Sequence, residues 1–141
     1  MRIYFDTSFL VSLYARDTNF SKAINAVPGK ATKVITQFAE LEFENALQLR
    51  VFRKDLRMSQ GQLIRRNFQD DLRKQVYEYR LFDIGWLERA GLLSRRHTAL
   101  LGTRTLDLIH VASALELEAD SLFTFDEHQR SLAKAVHLKL N

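Results

Sequence analysis

Short apolar runs that stop at polar residues alternate along this chain with longer amphipathic segments. Ile3–Phe5 is such a run, it stops at Asp6, and it reads as a buried strand. Thr7 and Ser8 offer a cap for a helix that begins at Phe9. A second short helix is predicted over 20–27, closed by Pro28-Gly29. Residues 33–36, with β-branched Val34 and Ile35, predict a second strand. Helix formers dominate 38–56, are interrupted at Ser59 and Gly61, and resume over 62–79. Residues 81–85 read as a strand or a bend. A helix follows over 86–101, with Gly91 inside it and Gly102 at its stop. Thr105 caps a strongly apolar helix over 106–119. A strand over 121–125, a helix over 126–136 and a last short strand over 137–140 complete the pattern.

Strands separated by helices predict an α/β fold: a three-layer α/β/α sandwich with a parallel sheet of four or five strands. With 141 residues and no repeat or linker, the chain is expected to form one domain over 1–141. In open parallel sheets ligands sit beyond the carboxyl ends of the strands. Residues that directly follow strands are therefore the first candidates for chemistry.

Two aspartates hold such positions, Asp6 after the first strand and Asp126 after the strand at 121–125. Two more acids, Asp107 and Glu42, lie within apolar helical stretches, where a carboxylate is costly. Each has a modest explanation. Asp6 shapes a turn, Asp126 with Gln129 matches a capping box, Asp107 suits the first turn of its helix, and Glu42 suits a solvated face. Taken together they suggest more. Carboxylates gathered at one sheet edge repel one another unless a cation neutralises them. All-oxygen donors suit Mg²⁺ or Mn²⁺ rather than zinc. Such ions generate a nucleophile from water and stabilise in-line displacement at phosphorus.

Charge and cysteine content narrow the field. No cysteine is present, which excludes a disulfide framework, a thiol nucleophile and cysteine-ligated zinc. Residues 50–104 hold 13 Lys/Arg against 6 Asp/Glu, within a chain of net charge +4. A basic middle beside acidic ends suits a phosphate platform next to a cation site. Arg50, Arg53, Lys54 and Arg57 follow the i, i+3, i+4, i+7 spacing of one helical face and are the candidate RNA contacts. Arg65, Arg66, Arg73, Lys74, Arg95 and Arg96 extend the basic character. Tyr77, Tyr79 and Trp86 are candidate stacking platforms, with burial favoured for Trp86. Phe38, Phe43, Phe52 and Phe68 are assigned to the core or a dimer interface. His110, one turn after Asp107, is read as a packed core histidine. No run of about 18 apolar residues exists, and the first apolar run is too short for a signal peptide, so no membrane span and a cytoplasmic location are expected.

Four ordered motifs carry a family resemblance. Tyr4-Phe5-Asp6-Thr7-Ser8 resembles the opening motif of PIN domains. Glu40 to Leu47, preceded by Thr36, resembles the family's glutamate-bearing helix. Arg104 to Ala114 resembles its third acidic motif, and Leu122-Phe123-Thr124-Phe125-Asp126 its fourth. The resemblance is closest to the VapC-like toxin ribonucleases. It implies cleavage of RNA with Mg²⁺ or Mn²⁺, held by Asp6, Glu42, Asp107 and Asp126, in a homodimeric toxin silenced by an antitoxin protein. Ser8 and Thr124 would support the site. Glu42 is preferred over Glu40 because Thr36 and Ala46 stand at the family's offsets from it. The two glutamates point about 200° apart on a helix, so they do not share one ion. A non-catalytic RNA- or protein-binding module of the same fold is the alternative. An aspartate-based phosphatase is disfavoured, since Ser8 stands where a second Asp is needed, and no Gly-rich phosphate loop is present.

Overall fold

β1 (Arg2–Phe5) runs through the middle of the molecule, and its residues alternate between two separate cores. The computed structural model describes all residues from Met1 to Asn141. Ile3 and Phe5 face one side, packing with Phe9, Leu10, Ile35, Phe43, Phe68 and Phe123. Tyr4 faces the other, with Val34, Val111, Ala112, Leu122 and Leu132. The same alternation holds in the neighbouring strands, Val34 against Ile35 and Leu122 against Phe123. It follows from the two-residue period of a pleated strand with a helical layer on each face.

The first layer holds α1 (Thr7–Ala15), α2 (Phe20–Ala26), α3 (Gln37–Phe52) and α4 (Met58–Arg73). The second core takes residues from α5 (Trp86–Leu93), α7 (Thr105–Glu116) and α8 (Glu127–Ala135). A π turn over Ser94–Thr98 and the single turn α6 (Ala99–Leu101) connect α5 to α7. The strands β2 (Thr32–Thr36), β3 (Glu78–Arg80), β4 (Ser121–Phe123) and β5 (Lys139–Leu140) join β1 in the order β3-β2-β1-β4-β5. All pairings are parallel, and the expected α/β/α sandwich is present with five strands. The chain winds from β1 outward to β2 and β3, then crosses back to β4 on the other side of β1. The carboxyl ends of β1 and β4 therefore flank the point where the winding reverses, which is where this architecture opens a crevice.

Several boundaries differ from the sequence expectation. The helix expected over 62–79 stops at Arg73, and Glu78–Arg80 instead forms the edge strand β3 on β2. Gln75, at φ 57°, ends the helix, and Val76, Tyr77 and Tyr79 suit a strand better than a further turn. Residues 81–85, left open between strand and bend, form an irregular stretch that ends in a turn at 84–85. The helix expected to reach residue 56 ends at Phe52, because Lys54 adopts the left-handed conformation at φ 64°. The helix expected over 86–101 carries the π turn in its second half.

The aromatic core is densely interlocked. Phe43 lies 4.4 Å from Phe68 and 5.7 Å from Tyr14 between ring centroids, and it is fully buried. Of the four phenylalanines set aside for core or interface, Phe43 and Phe68 are core, whereas Phe52 is 82% exposed. Removing the Phe43 ring leaves a cavity that rigid neighbours cannot fill. Phe43→Ala should cost about 3–5 kcal/mol in urea unfolding; a loss under about 1 kcal/mol would contradict this packing.

Candidate active site

The local sequence at each strand end explains how the acids are held. Asp6 follows β1 and caps α1, its Oδ1 accepting from the Phe9 amide at 2.8 Å. The Ser8 hydroxyl donates to both Asp6 oxygens at 2.9 Å, and the Thr124 hydroxyl donates to Oδ2 at 2.8 Å. Both hydroxyls accept backbone amides in turn, Ser8 from Phe125 and Thr124 from Asp126, each at 2.9 Å. Their free proton is thereby aimed at Asp6. Asp6 and Thr124 are fully buried. Burial, the largest influence, raises the Asp6 pKa above its ordinary value, against the pull of His110 and of these donors.

Asp126 caps α8, accepting from the amides of His128 at 2.9 Å and Gln129 at 3.2 Å. Asp107 lies buried in the first turn of α7. The capping roles seen in the sequence are thus real, and the same carboxylates also border a common space. Arg104 joins the two. Its Nε and Nη2 donate to the two oxygens of Asp107 at 3.1 Å each, and Nη2 donates to Asp126 at 2.7 Å. Both carboxylates raise the guanidinium's pKa further above its ordinary value.

Glu42, on α3, accepts from the Thr7 hydroxyl at 2.9 Å and from His110 Nε2. A carboxylate only accepts, so Nε2 carries the proton. In a neutral ring Nδ1 then accepts from the Tyr4 hydroxyl, 2.9 Å away, and Thr36 donates to Tyr4 at 3.1 Å. His110 is buried, as expected of a core histidine. It is also the group that fixes the Glu42 carboxylate, a role the sequence reading left out. Glu40 bonds Tyr79 and Glu44 pairs with Arg65, both at the surface. Of the three neighbouring glutamates, Glu42 alone reaches the cleft.

Asp6, Glu42, Asp107 and Asp126 line one cleft of about 520 Å³, together with Thr7, Ser8, Arg104 and His110. As their side chains stand, no three carboxylate or imidazole groups converge closely enough to share one ion. The donor set is nevertheless oxygen-rich. It includes Gln129, buried at the cleft wall with its Oε1 unpartnered. These donors fit a hard divalent cation in kind, and a guanidinium already bridges two of them.

The basic face does not form as the spacing implied. It required an unbroken helix through residue 57, and the left-handed Lys54 breaks it. Arg50 and Arg53 line the cleft, while Lys54 and Arg57 do not. Arg50 pairs with Asp17 at 3.3 Å. Of the possible stacking residues, Tyr77 is buried, Trp86 is half-buried against the second core, and Tyr79 is partly exposed. Arg104 was quoted in a motif without a role. Its signal was its place three residues before Asp107, one helical turn away.

Comparison with known proteins agrees with this fold. The PIN domain family matches residues 3–135, and the chain belongs to that family, whose members are generally nucleases. Among solved structures, the VapBC2 complex of Rickettsia felis bound to a promoter DNA fragment is similar, with a TM-score of 0.67 and 16% identity over 100% of this chain and 98% of that one. VapC20 of Mycobacterium tuberculosis, a toxin that cleaves the sarcin–ricin loop, gives a TM-score of 0.66 and 16% identity, covering 92% and 94%. VapBC-1 of nontypeable Haemophilus influenzae gives 0.63 and 14%, covering 100% and 97%. At these identities the likeness is one of fold. A search among curated proteins finds no significant match. No helix is long and apolar enough to cross a membrane.

Burial of Asp6 has a consequence for stability. The folded state holds the Asp6 proton to higher pH than the unfolded chain does. Below the ordinary aspartate range both states are protonated and nothing is lost. As pH climbs through that range and past the raised value, ionising Asp6 costs stability. Asp6→Asn carries no charge, so in chelator its melting temperature relative to wild type should rise as pH climbs from below the aspartate range to neutral. A difference that stays constant across that range would contradict the burial effect.

Proposed function

We propose that the chain is a divalent-metal-dependent endoribonuclease, the toxin of a toxin–antitoxin pair. The observation that carries this reading is that four acids, from four separated stretches of chain, line one cleft at the carboxyl edge of a parallel sheet. Asp6 and Asp107 would hold Mg²⁺ or Mn²⁺ most directly, with Asp126 and Glu42 completing the shell through water or orienting the nucleophile. When bound, the cation would activate water and neutralise charge on the phosphodiester.

The chain's own groups supply the rest. Ser8 and Thr124 hold the Asp6 carboxylate in one orientation, and His110 with Thr7 does the same for Glu42. Preorganised donors of this kind avoid reorganisation during the reaction. Arg50 and Arg53, on the cleft wall, would grip backbone phosphates and give affinity rather than sequence choice. A cognate antitoxin and a second copy of the chain are the expected partners. The exposed apolar residues Leu41, Phe52 and Ile84 supply surface that association would cover.

The test is incubation of the pure chain with a panel of single-stranded RNAs, with Mg²⁺, Mn²⁺ or chelator. Cleavage should need the metal and should vanish in Asp6→Asn. Mn²⁺ at about a hundred times its dissociation constant should stabilise the wild type by about 2–3 kcal/mol and leave Asp6→Asn unmoved. RNA binding that ignores metal, survives Asp6→Asn and fails in Arg50→Ala with Arg53→Ala would instead identify a binding module.

A further inference from the structure

We propose that Arg104 is the chain's own counter-cation for the acidic cleft, and that a divalent ion binds by displacing it from Asp107 and Asp126; this rests on the nuclease reading above. Among basic side chains the four acids contact only Arg104 and His110, and of these the guanidinium is permanently charged. Arg104 engages both oxygens of Asp107 and one of Asp126 through a single guanidinium. Those are the oxygens that an incoming cation needs.

The two ends of this contact differ in what release costs them. The Arg104 side chain is 60% exposed, so water receives its guanidinium readily if the bonds break. The Asp107 side chain is 2% exposed and has no such recourse. A buried carboxylate stripped of its partner is heavily penalised, so positive charge must replace the guanidinium as it leaves. Arginine and metal are therefore alternatives at one place. The same competition accounts for Asp107 and Asp126 being turned to Arg104, while no three of the acidic and imidazole groups share one point. The other arginines of the cleft are placed differently, since Arg50 pairs with Asp17 and Arg53 with none of the four acids.

Calorimetric titration of Mn²⁺ into the full chain tests this, with metal-free melting curves reporting that each variant is folded. Arg104→Gln should bind Mn²⁺ about tenfold more tightly than wild type, the order expected from losing competing charge-assisted hydrogen bonds. Arg104→Lys keeps the charge without the fork and should fall between. Arg53→Gln removes the same charge from the same cleft without freeing a carboxylate, and should gain less than about threefold. A gain in Arg104→Gln no larger than that in Arg53→Gln, or a loss of affinity, overturns the displacement. If wild type binds Mn²⁺, Asp6→Asn does not, and Arg104→Gln matches wild type, only the displacement fails. If neither wild type nor Arg104→Gln binds Mn²⁺, the nuclease reading fails with it.

Discussion

Four carboxylates border one cleft here, and the partner that each finds for its charge governs how the surrounding groups are placed. Each acid is relieved differently. Asp6 receives hydroxyls and a backbone amide, and burial raises its pKa despite these bonds and the opposing pull of His110. Neutral donors offset only part of the desolvation of a charge. Asp107 and Asp126 share one guanidinium. Glu42 rests on His110, which is itself fixed by Tyr4 and Thr36 from the sheet edge. The site is thus electrostatically hungry at Asp6 and satisfied at Asp107, an asymmetry that a divalent cation would remove.

The sheet makes this gathering possible. Because β1 serves both cores, its two faces are filled by aliphatic and aromatic side chains, and its carboxyl end is left to open between α1 and α8. Asp6 and Asp126 then cap those helices, their carboxylates accepting from backbone amides of the first turns. A residue can thereby be a helix cap and a cleft carboxylate at once, with the helix dipole favouring its negative charge. Capping and chemistry are not competing explanations at these positions.

How much of this was legible in the sequence depended on how local each signal was. β1 with Asp6, β4 with Asp126 and the apolar helix bearing Asp107 were readable because each is a short pattern bounded by its own residues. Glu42 was separable from Glu40 through the family's offsets from Thr36 and Ala46; helix geometry only set the two on different faces. β3 was missed because it is a three-residue edge strand behind a strong helix former, and its pairing with β2 lies more than forty residues away. The supposed basic face failed on one backbone angle, at Lys54, which no spacing rule contains. The parts played by Arg104 and His110 were hidden for a different reason. Asp126 is 22 residues from Arg104, and Glu42 is 68 from His110. Only the folded arrangement brings those partners together.

The most direct measurement is the position of Mn²⁺ by anomalous scattering from crystals grown with the ion. The account predicts a peak inside the cleft, within coordination distance of Asp6 and Asp107, with the Arg104 guanidinium moved off both aspartates. A cation bound elsewhere on the surface, with Arg104 still bridging Asp107 and Asp126, would contradict it.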